Sequence, residues 1–339
     1  MLRKIFTLGM LFLLSFSFVQ AQEEEAPDLT ISGSVDTYWK YDFSGNPNIQ
    51  TSFANEQNSI SIGMINLIAS QEVGKASFVA DISFGPRGQS QSLINAGADN
   101  NSFHVQNLYM SYALSEKVSL TAGYMGTFVG YEVISPAGNF NYSTSYLFTS
   151  GPFQNAGIKA DIAFSDKVGL MVGLFNDWNI YQDMDGVSDI GAQLYLNPVD
   201  GWDVYLNFLT GPFSGTIVDL TTGYQITDAF YLGLNAADYT YADSDEGGYT
   251  GVALYPQYSI SEAFGLGLRY EYFMTKEVEN GAESASVNAF TLTGSLKAGP
   301  LTVIPEFRLD SGEDGMFMDS DAMPASSASQ FLIGAVYAF

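Results

Sequence analysis

An arginine and a glutamate stand two residues apart in the segment FGLGLRYEYF, where every other residue is aromatic, aliphatic or glycine. If the segment is a β-strand, Arg269 and Glu271 share one face with Gly265 and Gly267, because side chains alternate between the faces of a strand. Such charges could pair with neighbouring strands and stiffen a sheet, or they could line a water-filled space and act on passing ions. Both interpretations place the leucines and tyrosines of the other face against an apolar environment.

Charged residues fall on the polar face of other alternating segments as well. From Thr30 to Phe43 the even positions carry mostly polar residues and the odd positions mostly apolar ones, which is the pattern of a strand with two different faces. The segments NAGIKADIAF, FTLTGSLKA and PLTVIPEFRLD repeat this pattern. The charges assigned to the polar faces are Asp36, Lys40, Asp42, Asp81, Lys159, Asp161, Asp203, Asp219, Arg269, Glu271, Lys297, Glu306 and Arg308.

Other kinds of chemistry find little support in the chain. There is one histidine, His104, and no cysteine, so a zinc site is not expected, and no spacing nominates a catalytic partner for His104. The net charge of −25 argues against nucleic-acid binding, which needs clustered Lys and Arg. The acidic stretches YADSDEGG and DSGEDGMFMDSD could hold Ca²⁺ but lack EF-hand spacing, and solvated loops are the simpler interpretation. We predict no catalytic residues, no metal and no cofactor.

The first 21 residues have the pattern of a secretory signal peptide. Arg3 and Lys4 precede an apolar run from Ile5 to Val19, and small residues mark a cut after Ala21. A membrane helix is the alternative, but the run is short for the roughly 20 apolar residues that a span needs. Residues 22–28 then form an acidic tail, and the rest of the chain is exported.

The exported part, residues 29–339, has no further apolar run long enough for a membrane helix. Short turns lie near Gly74, Ser115, Ser165, Val199, Thr227, Ser261 and Ala298 and alternate with longer polar loops. Seven hairpins and a strand at each end predict an all-β fold, a closed antiparallel transmembrane barrel of about 16 strands, with its turns in the periplasm and its loops outside. A barrel of this size is wide enough for an aqueous channel, so the polar-face charges become candidate pore-lining residues. A soluble exported β-sandwich is the alternative.

The chain ends on an alternating strand, QFLIGAVYAF, whose final aromatic residue is Phe339. A terminal Phe on such a strand is typical of outer-membrane barrels, in which it serves as a signal to the barrel-assembly machinery. The alternative is a chain that ends in Phe by chance. With the export signal, the strand predicts the outer membrane of a Gram-negative bacterium, where lipid and lipopolysaccharide surround the barrel.

Three short pieces carry a resemblance to a known family: GYE at Gly130–Glu132, NYSTSYLF at Asn141–Phe148 and FNDWN at Phe175–Asn179. With the upstream segment ANEQNSISIGMINLIASQEVGKASFVADISFGPRG, they make the chain similar to the OmpL-like β-barrel porins of Gram-negative bacteria, of the Bacteroidetes type. The likeness extends from Phe53 to Asn179 and continues only as a pattern elsewhere. The chain departs from it at Asn176–Asn179, where Asn-Gly-Trp-Asp is expected. The resemblance implies a passive outer-membrane channel without catalytic residues.

A porin would let small hydrophilic solutes and ions diffuse through its lumen. In general porins the third loop narrows the pore, and here Glu132–Gln154 is the third external loop, with Glu132, Asn139, Asn141 and Tyr142 as candidate constriction residues. A loop packed across the barrel mouth is the alternative. Acids outnumber bases among the predicted lumen charges, which predicts mild cation selectivity. Porins of this size commonly form homotrimers. A non-conducting surface receptor or adhesin is the alternative function.

Overall fold

The structure, a computed structural model, describes residues 28–49, 51–89, 105–184, 186–279 and 281–339. The predicted signal peptide, almost all of the acidic tail and His104 lie outside these residues. The strands are β1 (Thr30–Asp42), β2 (Ile60–Val73), β3 (Ala76–Phe84), β4 (Val105–Ser115), β5 (Val118–Gly126), β6 (Gln154–Ser165), β7 (Val168–Phe175), β8 (Asp189–Leu196), β9 (Trp202–Gly211), β10 (Gly215–Gln225), β11 (Phe230–Thr240), β12 (Gly248–Ser261), β13 (Phe264–Thr275), β14 (Ala285–Ala298), β15 (Leu301–Gly312), β16 (Phe317–Met318), β17 (Pro324–Ala325) and β18 (Ser327–Ala338).

Sixteen of these strands form one closed barrel, which confirms the predicted fold. Each barrel strand runs antiparallel to its chain neighbour, and β1 pairs with β18 to close the ring, with Trp39 opposite Ile333. Strands β16 and β17 pair only with each other, as a small hairpin in the last loop. Closure leaves the barrel sheet without an edge, so no row of backbone N–H and C=O groups faces lipid unpaired. Within the described residues, no helix has the length and apolar character to cross a membrane.

Alternation decides which way each side chain points. In β13 the residues Gly267, Arg269, Glu271 and Phe273 are buried inside the barrel, whereas Leu266 and Leu268 are exposed on its outer surface. The outer faces of the other strands carry similar exposed Ile, Leu, Val and Phe side chains. This outward apolar surface, combined with inward polar residues, is the arrangement of a barrel that spans a bilayer.

The two ends of the barrel differ in their connections. At one end the strands are joined by short turns, such as 74–75 between β2 and β3 and 299–300 between β14 and β15. Gly74 and Gly299 both adopt a φ of 61° there, which a glycine accepts without steric cost. The other end carries the longer loops, except that residues 212–214 alone join β9 to β10.

The buried apolar core lies inside the barrel, in the half next to the long loops. Inward residues of the strands, including Phe175, Leu209 and Ile217, pack there against Val129 and Leu147 from the segment between β5 and β6. Short helices occur in the loops, namely α1 (Pro86–Gln89) and α2 (Tyr146–Ser150), with 3₁₀ turns at Pro136–Gly138 and Ser244–Glu246. The loops therefore fill part of the barrel interior, and the contacts that they form with the inner wall make up the candidate site.

Candidate functional site

Residues 127–153, here called the third loop, connect β5 to β6 and fold into the barrel. Tyr142, Thr144 and Ser145 within it are each 1% exposed or less. They are covered on one side by the barrel wall and on another by the first loop, since Ser52 donates its backbone N–H to Thr149 at 2.8 Å. A loop packed across the barrel mouth, the alternative prediction, would not be buried against the inside of the wall in this way.

Two wall carboxylates hold the backbone of the third loop. Glu306 on β15 accepts the N–H groups of Tyr142 and Ser143 at 2.6 and 3.0 Å. Glu271 on β13 accepts those of Tyr146 and Leu147 at 2.9 and 2.8 Å. Buried backbone N–H groups need such partners, and hydrogen bonds to a charged acceptor are the stronger kind. These inward acids therefore act as anchors for the loop.

Two wall arginines bind the same stretch of loop from its carbonyl side. Arg269 pairs with Glu132 at 2.8 Å and donates to the carbonyl of Ser143 at 2.6 Å. Arg308 donates to the carbonyl of Thr144 at 2.8 Å and forms a two-pronged ion pair with Asp310 at 2.8 and 2.9 Å. Both guanidinium groups are sealed from solvent. Arg269 and Glu271 thus face inward, and there they hold the loop.

A third arginine joins three loops to the wall. Arg87, from α1 in the second loop, lies 3.5 Å from Asp36 of β1. Its guanidinium is 4.6 Å from the ring centre of Phe53 and 4.7 Å from that of Tyr142, both within the range of a cation–π contact. The Tyr142 hydroxyl also donates to Asp36, and burial raises the pKa of Tyr142, so this donor keeps its proton.

Inward glycines leave room for the aromatic rings of the third loop. A Cβ atom added at any of four of these glycines would come within 2.3 to 2.6 Å of a loop ring or its hydroxyl, so an alanine there would require the ring to move. The four contacts are Phe128 with Gly191 on β8, Tyr131 with Gly233 on β11, Phe140 with Gly267 on β13 and Tyr142 with Gly334 on β18. The loop is therefore matched to the wall by shape as well as by charge.

Most of the predicted constriction residues contact the barrel wall, and one forms hydrogen bonds only within the loop. Glu132 reaches Arg269, as described, and the Asn141 amide donates to Thr293 of β14 at 2.6 Å. Asn139 instead bonds to Val133 within the loop, donating to its carbonyl at 2.6 Å and accepting its N–H at 2.9 Å. Three of the four candidates thus touch the wall, and the fourth shapes the loop.

Other predicted pore-lining residues lie on the inward face but differ in their surroundings. Asp219 accepts the backbone N–H of Gly130 at 3.1 Å, which makes it another anchor. Asp81 accepts hydrogen bonds from the amides of Asn66 and Asn107 at 3.4 and 3.2 Å. Lys40 is buried, and its ammonium group has no hydrogen-bond partner among the described residues.

Charges that reach solvent inside the barrel lie away from the anchored face of the loop, as a pair on β6 and as Asp203 of β9, which lines the second cavity. The Lys159 ammonium lies 3.0 Å from the Asp161 carboxylate, and these side chains are 25% and 41% exposed, compared with 0% for Arg269. Lys297 is exposed at the turn end of β14. The third loop therefore covers the charges of β13 and β15 and leaves those of β6 open to water.

The turn end of the interior contains open space. A cavity of about 1010 Å³ runs from the turns beside Asp228 and Glu262 up to the third loop at Phe140. A second cavity, of about 590 Å³, adjoins it near Tyr131 and Tyr231, whose hydroxyls are 3.0 Å apart.

Three site residues, Arg87, Phe53 and Phe140, were not predicted from the sequence. Arg87 and Phe53 lie in loops, where no periodicity indicates direction. The signal for Phe140 was present, because Gly265 and Gly267 form a gap on the inward face of β13. Where β1 and β18 close the barrel, the backbone N–H and C=O groups of Phe339 both hydrogen-bond with those of Gly33 at 3.0 Å. The ring of Phe339 is half exposed.

A closed sixteen-strand barrel with an apolar outer surface and an inward-folded third loop defines the class of outer-membrane porin barrels. The comparison with protein families agrees: the family model "Putative beta-barrel porin-2, OmpL-like" matches residues 28–339. The chain belongs to this family, which confirms the resemblance and supports a location in the outer membrane. No curated protein matches the chain.

Solved structures share the fold at low sequence identity. An outer-membrane expressed OmpT of Vibrio cholerae is 15% identical with a TM-score of 0.55, the match covering 92% of this chain and 97% of that one. An anion-selective porin from Comamonas acidovorans is 12% identical with a TM-score of 0.60, over 92% and 99%. Salmonella typhi OmpF, in complex with daunomycin, is 12% identical with a TM-score of 0.60, over 92% and 97%. These likenesses bear on the fold alone.

Proposed function

We propose that this barrel is a water-filled channel for the passive diffusion of small hydrophilic solutes and ions across the outer membrane. The observation that carries the proposal is the position of the third loop, which is bound to the wall of β13 and β15 while Lys159 and Asp161 of β6 stay exposed to water. A loop held against one side of the lumen narrows the lumen and leaves a path lined by polar side chains along the other side. The barrel acts without a catalytic residue or a cofactor.

The channel is mildly cation-selective in this proposal. Acids outnumber bases on the inward faces, and the chain as a whole has a net charge of −25. Acidic linings favour cations. The reversal potential of a bilayer with a tenfold KCl gradient measures this preference directly, and a potential of the sign expected for chloride permeation would contradict it.

Liposome swelling tests the channel itself. Purified protein is reconstituted, and swelling rates are compared for arabinose, glucose, sucrose and raffinose, with protein-free liposomes as the control. We expect rates that fall with solute size, as for a water-filled pore. A barrel that leaves the liposomes sealed to all four sugars would instead support the receptor or adhesin alternative.

The partners of the protein follow from the same proposal. Lipid and lipopolysaccharide surround the outward apolar surface, and the porin assembles as a homotrimer after its signal peptide has been removed. Phe339 is the signal to the barrel-assembly machinery, since it ends the closing strand with its ring on the outer surface. Replacing Phe339 with alanine is expected to lower the amount of folded barrel in the outer-membrane fraction, and an unchanged amount would remove this role.

A further inference from the structure

The larger cavity at the turn end has an unusual combination of walls. Its volume of about 1010 Å³ is at the upper end of the range of small-molecule sites. Aromatic rings of the third loop line one part of it, hydroxyl and amide side chains of neighbouring strands line another, and Asp228, Glu262 and Lys297 line the part beside the turns. A space that only passed water and ions would have no need for aromatic surfaces.

Phe140 provides the first of these surfaces. Its ring atoms lie 3.7 and 3.8 Å from the position of a Cβ at Gly265, and 2.4 Å from that at Gly267. The ring is therefore pressed against the strand at two inward glycines, and its remaining surface borders the cavity. Because the wall fixes the ring in place, a ligand that stacks on it would lose little free energy in ordering the site.

Tyr131 provides the second surface, and it rests on Tyr255, which is itself only 2% exposed. The rings of Tyr131 and Tyr255 stack with centres 4.3 Å apart and planes 20° apart, and the Tyr131 hydroxyl is hydrogen-bonded with that of Tyr231. Both stacked tyrosines line the same cavity as Phe140. Phe140 and Tyr131, both of which pack against the wall, thus border one solvent-filled space.

The polar wall side chains beside Phe140 are uncharged, since Gln257 lies opposite Gly267 and Ser295 opposite Gly265, the two glycines on which the Phe140 ring packs. Gln257, Ser295 and Thr302 border the cavity, and within the described part of the chain their side chains form no hydrogen bond. Glu132 is already paired with Arg269. The lining therefore offers hydroxyl and amide groups to a ligand beside Phe140, whereas its charged residues Asp228, Glu262 and Lys297 lie at the turn end.

We propose that this cavity is a binding site for a neutral polyhydroxylated ring solute, a short oligosaccharide. The C–H faces of sugar rings pack on aromatic rings, and sugar hydroxyls exchange hydrogen bonds with amides and hydroxyls. The site deepens the proposed function by naming a solute class, and it rests on that function for the route by which the sugar arrives. Aromatic surfaces alone would also suit an organic cation, but the uncharged polar side chains beside Phe140 favour the sugar.

Titration calorimetry of the detergent-solubilised barrel with maltotriose tests the site without requiring conduction. We expect saturable binding that Phe140→Ala weakens about tenfold, that Phe140→Trp preserves and that Gln257→Ala also weakens. Phe148→Ala is the matched control, because Phe148 belongs to the same loop but packs on Phe53 and Phe153 and is expected to leave affinity unchanged. Circular dichroism of each variant verifies folding.

Four results would overturn the proposal. They are an absence of maltotriose binding by the folded wild-type barrel, equal losses in Phe140→Ala and Phe148→Ala, saturable binding of benzyltrimethylammonium in preference to maltotriose, and a polyethylene glycol signal equal to that of the sugar. A polyethylene glycol of similar mass should give no saturable heat, and a signal equal to that of the sugar would indicate mere partitioning. Ion conductance is measured separately, so a failed channel and a failed sugar site are distinguishable.

Discussion

Replacing Glu271 with glutamine tests whether wall carboxylates hold the third loop in place. The carboxylate accepts two backbone N–H groups, from Tyr146 at 2.9 Å and Leu147 at 2.8 Å. A glutamine of the same shape has one amide oxygen to accept one of these bonds, and its NH₂ group faces the other N–H. Since a hydrogen bond to a charged group contributes about 1.5 to 3 kcal/mol, we expect the docked loop to lose about 2 to 3 kcal/mol.

The chain offers a direct assay for that loss, because it contains no cysteine. A Ser143→Cys variant places one thiol in the loop at a position that is 4% exposed. Labelling by a water-soluble maleimide then proceeds through the undocked state and follows its population. A loss of 2 to 3 kcal/mol raises that population, and with it the labelling rate, about 30- to 150-fold.

Glu277→Gln in the same background is the control, since Glu277 is exposed in the loop that follows β13. We expect it to leave the rate at that of the Ser143→Cys parent. Equal labelling rates for Glu271→Gln and the parent would refute the anchoring role of the carboxylate. Equal acceleration by both glutamine variants would refute its specificity.

Three further predictions follow from the same contacts. Arg87→Met breaks the buried pair with Asp36, and we expect it to lower the unfolding free energy of the barrel by about 3 kcal/mol, measured by urea titration in detergent micelles. Gly334→Val directs a side chain at the ring of Tyr142, so the loop must shift and we expect single-channel conductance to change, whereas an identical conductance would mean that the ring contact does not shape the pore. Asp161→Asn removes a carboxylate that is 41% exposed, and the reversal potential in a KCl gradient should move toward that of a less cation-selective pore; no movement would exclude Asp161 from the ion path.

The barrel could be predicted from the sequence because its physics is local. Alternation along a strand tells which side chains face lipid and which face inward, and Arg269 with Glu271 shows this, since both lie on the predicted face. Short turns such as the one at Gly74 follow from residues that tolerate the turn backbone. The three residues between β9 and β10 make the shortest link of the loop end, and they depart from the predicted alternation of short turns with longer loops.

The arrangement inside the barrel could not be predicted in the same way, because it depends on contacts between residues far apart in the chain. Inward charge on Glu306 suggested a surface open to water, whereas in the fold that carboxylate binds the backbone of Tyr142. Arg87 reaches Asp36 of β1 from the second loop, and nothing in its neighbourhood along the chain indicates the partner. Inward glycines such as Gly334 were the available clue, since a gap in a wall of side chains marks a place where something else packs.

The most direct test of the account compares the single-channel conductance of the wild-type protein with that of a variant lacking residues Gly138–Thr144, in planar bilayers under the same salt. The third loop is held inside the barrel and narrows a water-filled lumen, so we expect discrete conductance steps from both proteins and larger steps from the deletion variant. A wild-type protein that inserts without conducting, or two proteins with the same conductance, would contradict it.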